Sequence, residues 1–202
     1  VPTVNRNVLT FNVGEMDYET ERKITYKVRS STTNKSTALF VENFENDIAW
    51  DLVTEEGAET WLPNYDVFRS AETSMFVPNF EAETDASIIS LYDINVIGQN
   101  PALRFWHLYN TELTNDGGFV EISVDGAPFR LVPRDKFIAN PYNTEIAYGT
   151  LAIPSLFGFS GSSEGEWVDS YIDLSEYAGK NLRLKFRFGS NATIAPTTAN
   201  AG

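Results

Sequence analysis

Residues 181–190 read NLRLKFRFGS, and their alternation constrains the fold more than any other feature of the chain. Leu182, Leu184, Phe186 and Phe188 occupy every second position, with Arg183, Lys185 and Arg187 between them. An extended strand sends successive side chains to opposite faces and so separates these two sets. A helix would mix them. The same period returns in KITYKVR at 23–29. It returns again in FVEISV, where Phe119, Glu121 and Ser123 share one face and Val120, Ile122 and Val124 the other. The β-branched face is expected in the core. Strand-like runs also occur at 48–53, 60–68, 87–96, 102–110 and 166–174. Turn residues separate these runs at intervals of roughly ten residues, as in sandwiches and barrels. No amphipathic helical pattern exceeds a turn or two, and there is no internal repeat. The chain is therefore expected to be all-β, a two-sheet antiparallel sandwich.

Two parts are expected. Residues 1–30 hold strand-like runs at 8–13 and 23–29, separated by the polar GEMDYETER. Two strands cannot bury an independent core. Residues 1–36 are thus read as the tail of an upstream Ig-like domain, or an N-terminal extension, ending in the linker-like SSTTNKST. Residues 37–202 are read as the sandwich module. The chain starts at Val1 without a visible signal peptide, which suggests a piece of a longer precursor.

The net charge of −13 sets broad limits on partners. A chain this acidic repels nucleic acid and anionic membranes, and suits divalent cations and a salty, extracellular setting. With no Cys there is no disulfide framework and no thiolate metal site. No apolar run reaches the ~20 residues that span a bilayer.

Few enzyme chemistries fit. His107 is the single histidine, which rules out multi-histidine zinc sites. A Ser-His-Asp triad would have to use it. It lies in RFWHLY, where Leu103, Phe105 and Tyr109 share its face, so it is read as a packed histidine with satisfied nitrogens. There is no G-x-S-x-G elbow, P-loop or dinucleotide fingerprint. GFSGSSEG at 158–165 is read as a mobile loop. Trp50, Trp61, Trp106 and Trp167 each fall in a strand-like run, so core packing is the default for most of them. Exposed tryptophan or tyrosine would instead form a sugar-stacking platform. Two acids facing each other across a cleft would make a glycosidase, but acids are too numerous here to pair by sequence.

Calcium is the better chemical hypothesis, because hard cations collect carboxylate, amide and carbonyl oxygens. The candidate clusters are Glu42, Glu45 and Asp47, and Glu112, Asp116 and Asp125. EF-hand spacing is absent. The competing reading is that the Asp-Gly steps supply turn geometry. It is preferred for Asp125-Gly126, which separates FVEISV from FRLV. Gly117-Gly118 is expected to turn the chain tightly into its strand. Asp116 and Glu112 stay open between the two readings.

Three stretches occur in a telling order: VENFEND…W, PALRFWHLYNTE…NDGGFVEISVDG and WVDSYIDLSEYAGKNLRLKFRFGS. Over about residues 38–190 they resemble the jelly-roll modules of secreted bacterial metallopeptidases of the immune inhibitor A and fungalysin types. The pattern is also similar to MAM-like domains and the cleaved adhesin domains of gingipains. The resemblance implies a jelly roll without a catalytic centre, with a structural calcium near the first strand. It implies Glu45 as a ligand from the F-E step, and Glu112 and Asp116 as further ligands from E-x-x-x-DGG. In such modules a last strand carrying Gly-Trp and an Asp-Asp pair closes the domain. The sequence reaches Ala201-Gly202 where that strand would begin, so a missing final strand is expected.

The functional expectation is a non-catalytic binding or accessory module of a secreted, multidomain, peptidase-associated bacterial protein. Its role would be adhesion, substrate docking or stabilisation. Its partners would be a protein or glycan ligand at the cell surface or extracellular matrix, and the domains of its parent. A carbohydrate-binding module is the alternative, followed by a jelly-roll glycoside hydrolase or lyase.

Overall fold

A computed structural model of the protein describes residues 3–5, 8–10, 37–45, 49–57, 60–78, 83–146 and 156–191. The chain divides into two compact units, Val1–Thr37 and Ala38–Gly202. In the first, β1 (Thr3–Asn5) and β2 (Val8–Thr10) pair as an antiparallel ribbon, with Val4 opposite Leu9. The strand expected at 23–29 lies outside the described residues.

The second unit runs through β3 (Trp50–Glu56), β4 (Leu62–Asn64), β5 (Ser74–Phe76), β6 (Thr84–Ser90) and β7 (Ile94–Asn95). It continues through β8 (Ala102–His107), β9 (Gly117–Val124), β10 (Arg130–Leu131), β11 (Phe137–Ala139) and β12 (Thr144–Glu145). It ends with β13 (Phe157–Gly158), β14 (Val168–Asp173) and β15 (Asn181–Ser190). The helical content described is two single turns, Arg134–Lys136 and Ser175–Tyr177. The chain is all-β, and every strand pairing is antiparallel.

The large sheet has the order β10-β9-β15-β6-β3, with β7 also paired to β15. The small sheet has the order β11-β14-β8. Alternation decides how they meet. Val120 and Ile122 of β9, Leu182 and Leu184 of β15, Ile88 of β6 and Trp50 of β3 are buried in one core. Ile172 of β14 is buried in it too, and Leu103 and Phe105 of β8 and Phe137 of β11 pack against it. Two sheets thus share one apolar layer, as in a sandwich. Each fully buried aliphatic side chain contributes roughly 1.5–3 kcal/mol.

The middle of the other face of the large sheet is also shielded from water, while Asp51 and Arg183 toward its margin stay partly exposed. Phe119, Glu121 and Ser123 on β9, and Asp85 and Ser87 on β6, are all buried. Phe119 packs with Ile146, Leu131 and Leu156. The charges there are matched across strands. Arg187 of β15 grips Asp85 through Nε (2.7 Å) and Nη2, and its Nη1 reaches Glu121 at 3.2 Å. Lys185 completes the set, with Nζ 3.1 Å from Glu121.

Two glycine positions have clear causes. Asp125 (φ 49°) and Gly126 (φ 79°) are both left-handed, and the Ala127 N–H donates to the Val124 carbonyl at 2.9 Å. That is the primed turn that Asp-Gly favours at a hairpin end. Gly57 (φ 84°) follows the irregularity in β3, and a Cβ there would stand 2.5 Å from the Glu83 carbonyl oxygen. Gly117-Gly118 differs from expectation. Both residues belong to β9 and neither has positive φ, so they do not make the turn. A Cβ on Gly117 would instead meet the Phe159 carbonyl and Ile146 at 3.1 Å. The glycine admits the neighbouring backbone.

The mobile loop expected at 158–165 is likewise corrected. Phe159 and Gly118 exchange backbone hydrogen bonds of 2.9 and 3.0 Å. Ser160 is fully buried and is held by Asn143, Thr114 and Glu112. A segment with this many internal partners is pinned.

Candidate functional site

The acidic candidates fall into separate places. Glu45 Oε1 accepts the backbone N–H groups of Glu72 and Thr73, each at 2.9 Å. Glu42 accepts from Asn43 and Phe44 N–H and from the Trp50 indole N–H at 3.1 Å. Asp47 lies outside the described residues. Glu112 and Asp116 do come together. The Asp116 N–H donates to the Glu112 carbonyl at 3.0 Å, and the Glu112 N–H reaches Asp116 Oδ2 at 3.3 Å. Asn191 ties both: its N–H donates to Asp116 Oδ1 at 2.9 Å and its amide to Glu112 Oε2 at 3.3 Å. Asp116 is fully buried. Asp125 is placed apart, accepting the Asn181 N–H and pairing with Lys180 at 2.8 Å. That hydrogen bond, with Lys180 beside it, holds its carboxyl below the usual range. Among the described residues, no three His, Cys, Asp or Glu side chains are grouped so as to hold a metal ion.

His107 faces inward beside Phe105, Tyr109 and Phe159, its ring 4.1 Å from that of Phe159. Its Nε2 lies 2.9 Å from Ser170 Oγ, which looks like the base and nucleophile of a hydrolase. The proton count says otherwise. Ser170 donates its own hydroxyl proton to the Asn140 carbonyl at 2.7 Å. Its oxygen must therefore accept from His107, which fixes the proton on Nε2. Ser170 is also fully buried. Burial pulls the imidazole pKa down from its usual value to about 3, so the ring is neutral at pH 7.

An apolar cavity between the sheets, lined by Trp61, Phe105, Tyr109, Phe159 and Phe186 among others, has a volume of about 90 Å³. That is well below the roughly 300–1,000 Å³ of ligand pockets. An open hollow of about 350 Å³ lies among Leu39, Phe40, Tyr92, Ile94 and Ile97, with Asp93 its one charged lining residue.

The outward face of the small sheet holds a different constellation. Strand alternation that turns Leu103 and Phe105 inward turns Arg104 and Trp106 outward. Register places Tyr171 opposite Arg104, and Asp169 opposite Trp106. Arg104 forks onto Asp169 with two 2.8 Å bonds, Nε to Oδ1 and Nη2 to Oδ2. Its guanidinium lies 5.1 Å from the Trp106 ring and 5.2 Å from the Tyr171 ring. Arg69, from the segment between β4 and β5, lies 4.2 Å from the same indole. Asn140 donates its side-chain amide to the Asp169 carbonyl at 2.8 Å. The Arg104 hydrogen bond, with charge from Arg104 and Arg69, holds the Asp169 carboxyl below the usual carboxylate range. Planar groups, two of them aromatic, thus lie side by side on an open sheet face.

Of the four tryptophans, Trp50 is buried in the core, and Trp61 packs against it with its N–H on the Ala86 carbonyl at 3.1 Å. Trp106 departs from the core default. The signal was present in ALRFWH, where Trp106 falls out of phase with Leu103 and Phe105. Its partners Asp169, Tyr171 and Arg69 come from distant segments that only pairing brings near.

The class that fold and site define is an all-β sandwich with a cation–aromatic platform on one outer face. Comparison of the chain with family models, with curated proteins and with solved structures finds no match in any of the three.

Proposed function

We propose that the chain is a non-catalytic binding or accessory module, a jelly-roll β-sandwich of a secreted, peptidase-associated bacterial protein. It would hold a protein or glycan ligand at the cell surface or extracellular matrix, in adhesion, substrate docking or stabilisation of its parent. The observation that carries the binding reading is the outward platform of Arg104, Trp106, Asp169 and Tyr171. A platform of this kind favours a glycan, because flat sugar rings stack on aromatic side chains while guanidinium and amide groups reach their oxygens. The state of His107 supports the non-catalytic part, since it donates to Ser170 rather than activating it.

Binding of the purified chain to immobilised glycans and matrix proteins is the test, with Trp106→Ala beside it. Binding should appear and be lost in the variant. Binding indifferent to Trp106→Ala refutes the platform. Hydrolysis of a glycan or peptide that disappears in His107→Gln refutes the non-catalytic reading.

Structural calcium belongs to the same proposal. Glu112 and Asp116 offer two adjacent carboxylates, and the resemblance adds Glu45. A calcium shell takes six to eight oxygens, more than this pair supplies. An ion bound to the native state alone raises its stability. A chelator should then lower the melting midpoint, and elemental analysis should find the metal. No shift and no metal would remove calcium from the reading.

A further inference from the structure

Charge is spread unevenly over this protein. The chain carries −13 overall. Yet the outward face of β8 and β14 sets two guanidinium groups, Arg69 and Arg104, against one carboxylate, Asp169. Arg104 uses Nε and Nη2 on Asp169, which leaves the two protons of Nη1 uncommitted to that carboxylate. Among the described residues, no carboxylate lies within ion-pair distance of Arg69, which is exposed and stacked on Trp106. A guanidinium already held flat by an aromatic ring has lost part of its freedom, so less is lost when it grips an anion. Forked guanidinium donors match a carboxylate in particular.

We propose that this platform selects a carboxylated saccharide, a chain bearing uronic acid units. The ring's C–H face stacks on Trp106 or Tyr171, and its carboxylate takes Arg69 with Arg104 Nη1 as second donor. The inference rests on the reading of the module as a glycan binder. It adds the charge of the ligand. Charge complementarity argues for the anion. An acidic peptide is the rival occupant, since arginine clusters also take acidic motifs and β8 is an edge strand; the two aromatic rings set among the guanidinium groups favour the saccharide.

Isothermal titration with a uronic-acid oligosaccharide, its methyl ester and a glutamate-rich peptide tests this, on the full chain and on Arg69→Gln and Trp106→Ala. The free acid should bind about tenfold tighter than the ester, the scale of one charge-assisted hydrogen bond. Arg69→Gln should bring acid and ester together, while Trp106→Ala should weaken both by a similar factor. Arg69 is exposed, so its variant keeps the test open if Trp106→Ala does not fold. Equal binding of acid and ester by the native chain overturns the inference. So does an acid preference that survives Arg69→Gln, or a glutamate peptide that binds as tightly as the saccharide. Ester binding that vanishes in Trp106→Ala, without acid preference, sinks the inference and leaves the glycan reading standing. Binding of neither saccharide sinks both.

Discussion

Removing Arg187 should expose how much the charged layer on the large sheet contributes. Its side chain is 19% exposed, and its partners Asp85 and Glu121 are 7% and 11% exposed. Arg187→Met deletes the cation and leaves both carboxylates in place, with Lys185 the remaining cation on Glu121. Leaving a buried charge without its partner costs about 3–5 kcal/mol. The residual exposure of Arg187 argues for the lower end, about 3 kcal/mol. For a domain of this size that is roughly 6–12 °C in melting midpoint. Urea unfolding followed by tryptophan fluorescence at pH 7 measures it directly. Arg187→Met with Asp85→Leu removes the pair together and should recover part of the loss. A loss under about 1 kcal/mol would refute the view that these carboxylates depend on Arg187.

Three further outcomes follow from particular contacts. His107 has its native pKa depressed to about 3, so the unfolded chain protonates first as pH falls. Stability is then lost between the unfolded value near 6.5 and about 3, by up to about 1.4 kcal/mol per pH unit, and His107→Gln should show a shallower acid slope in urea melts. Tyr142 is fully buried, accepts the Val120 N–H at 3.1 Å and donates to the Val120 carbonyl at 3.2 Å. Tyr142→Phe should cost about 1–3 kcal/mol in the same assay, and a neutral result would show that solvent replaces the hydroxyl. Gly57→Ala forces a Cβ against the Glu83 carbonyl at a left-handed residue and should lower the melting midpoint by several degrees, whereas a neutral effect would mean that β3 relaxes away from β6.

The strands of the core were legible because their alternation is local. NLRLKFRFGS forms β15 from end to end, and the inward set of Leu103, Phe105 and His107 is as the pattern predicts. The Asp125-Gly126 turn was legible for the same reason, since two residues carry its whole chemistry. The outer face of β9 was not. Glu121 and Ser123 have the composition of a solvent face, yet both are buried: Arg187 and Lys185 come from β15 to meet Glu121, and Ser123 donates to the Ala127 carbonyl of the adjoining turn. Residues 158–165 misled in the same way. Gly and Ser say mobile, and the order comes from Asn143 and Thr114. For the site, sequence pointed to acids. Glu112 and Asp116 do meet, while Glu45 is capped by backbone N–H groups elsewhere. The platform stayed hidden because its members lie on β8, β14 and the segment before β5, and no local spacing joins them.

The central position of β15 sets a timetable for folding. It joins β9 to β6, and its Arg187–Asp85 pair closes over 102 residues of sequence. Until β15 is synthesised, β6 and β9 have no strand between them, and their inner faces of Ile88, Val120 and Ile122 wait uncovered. At roughly 5–20 residues per second on the ribosome, that interval lasts several seconds. A nascent chain with unpaired strand edges for so long needs protection from its neighbours, so yield in a cell should depend more on holding chaperones than the stability of the finished sandwich would suggest.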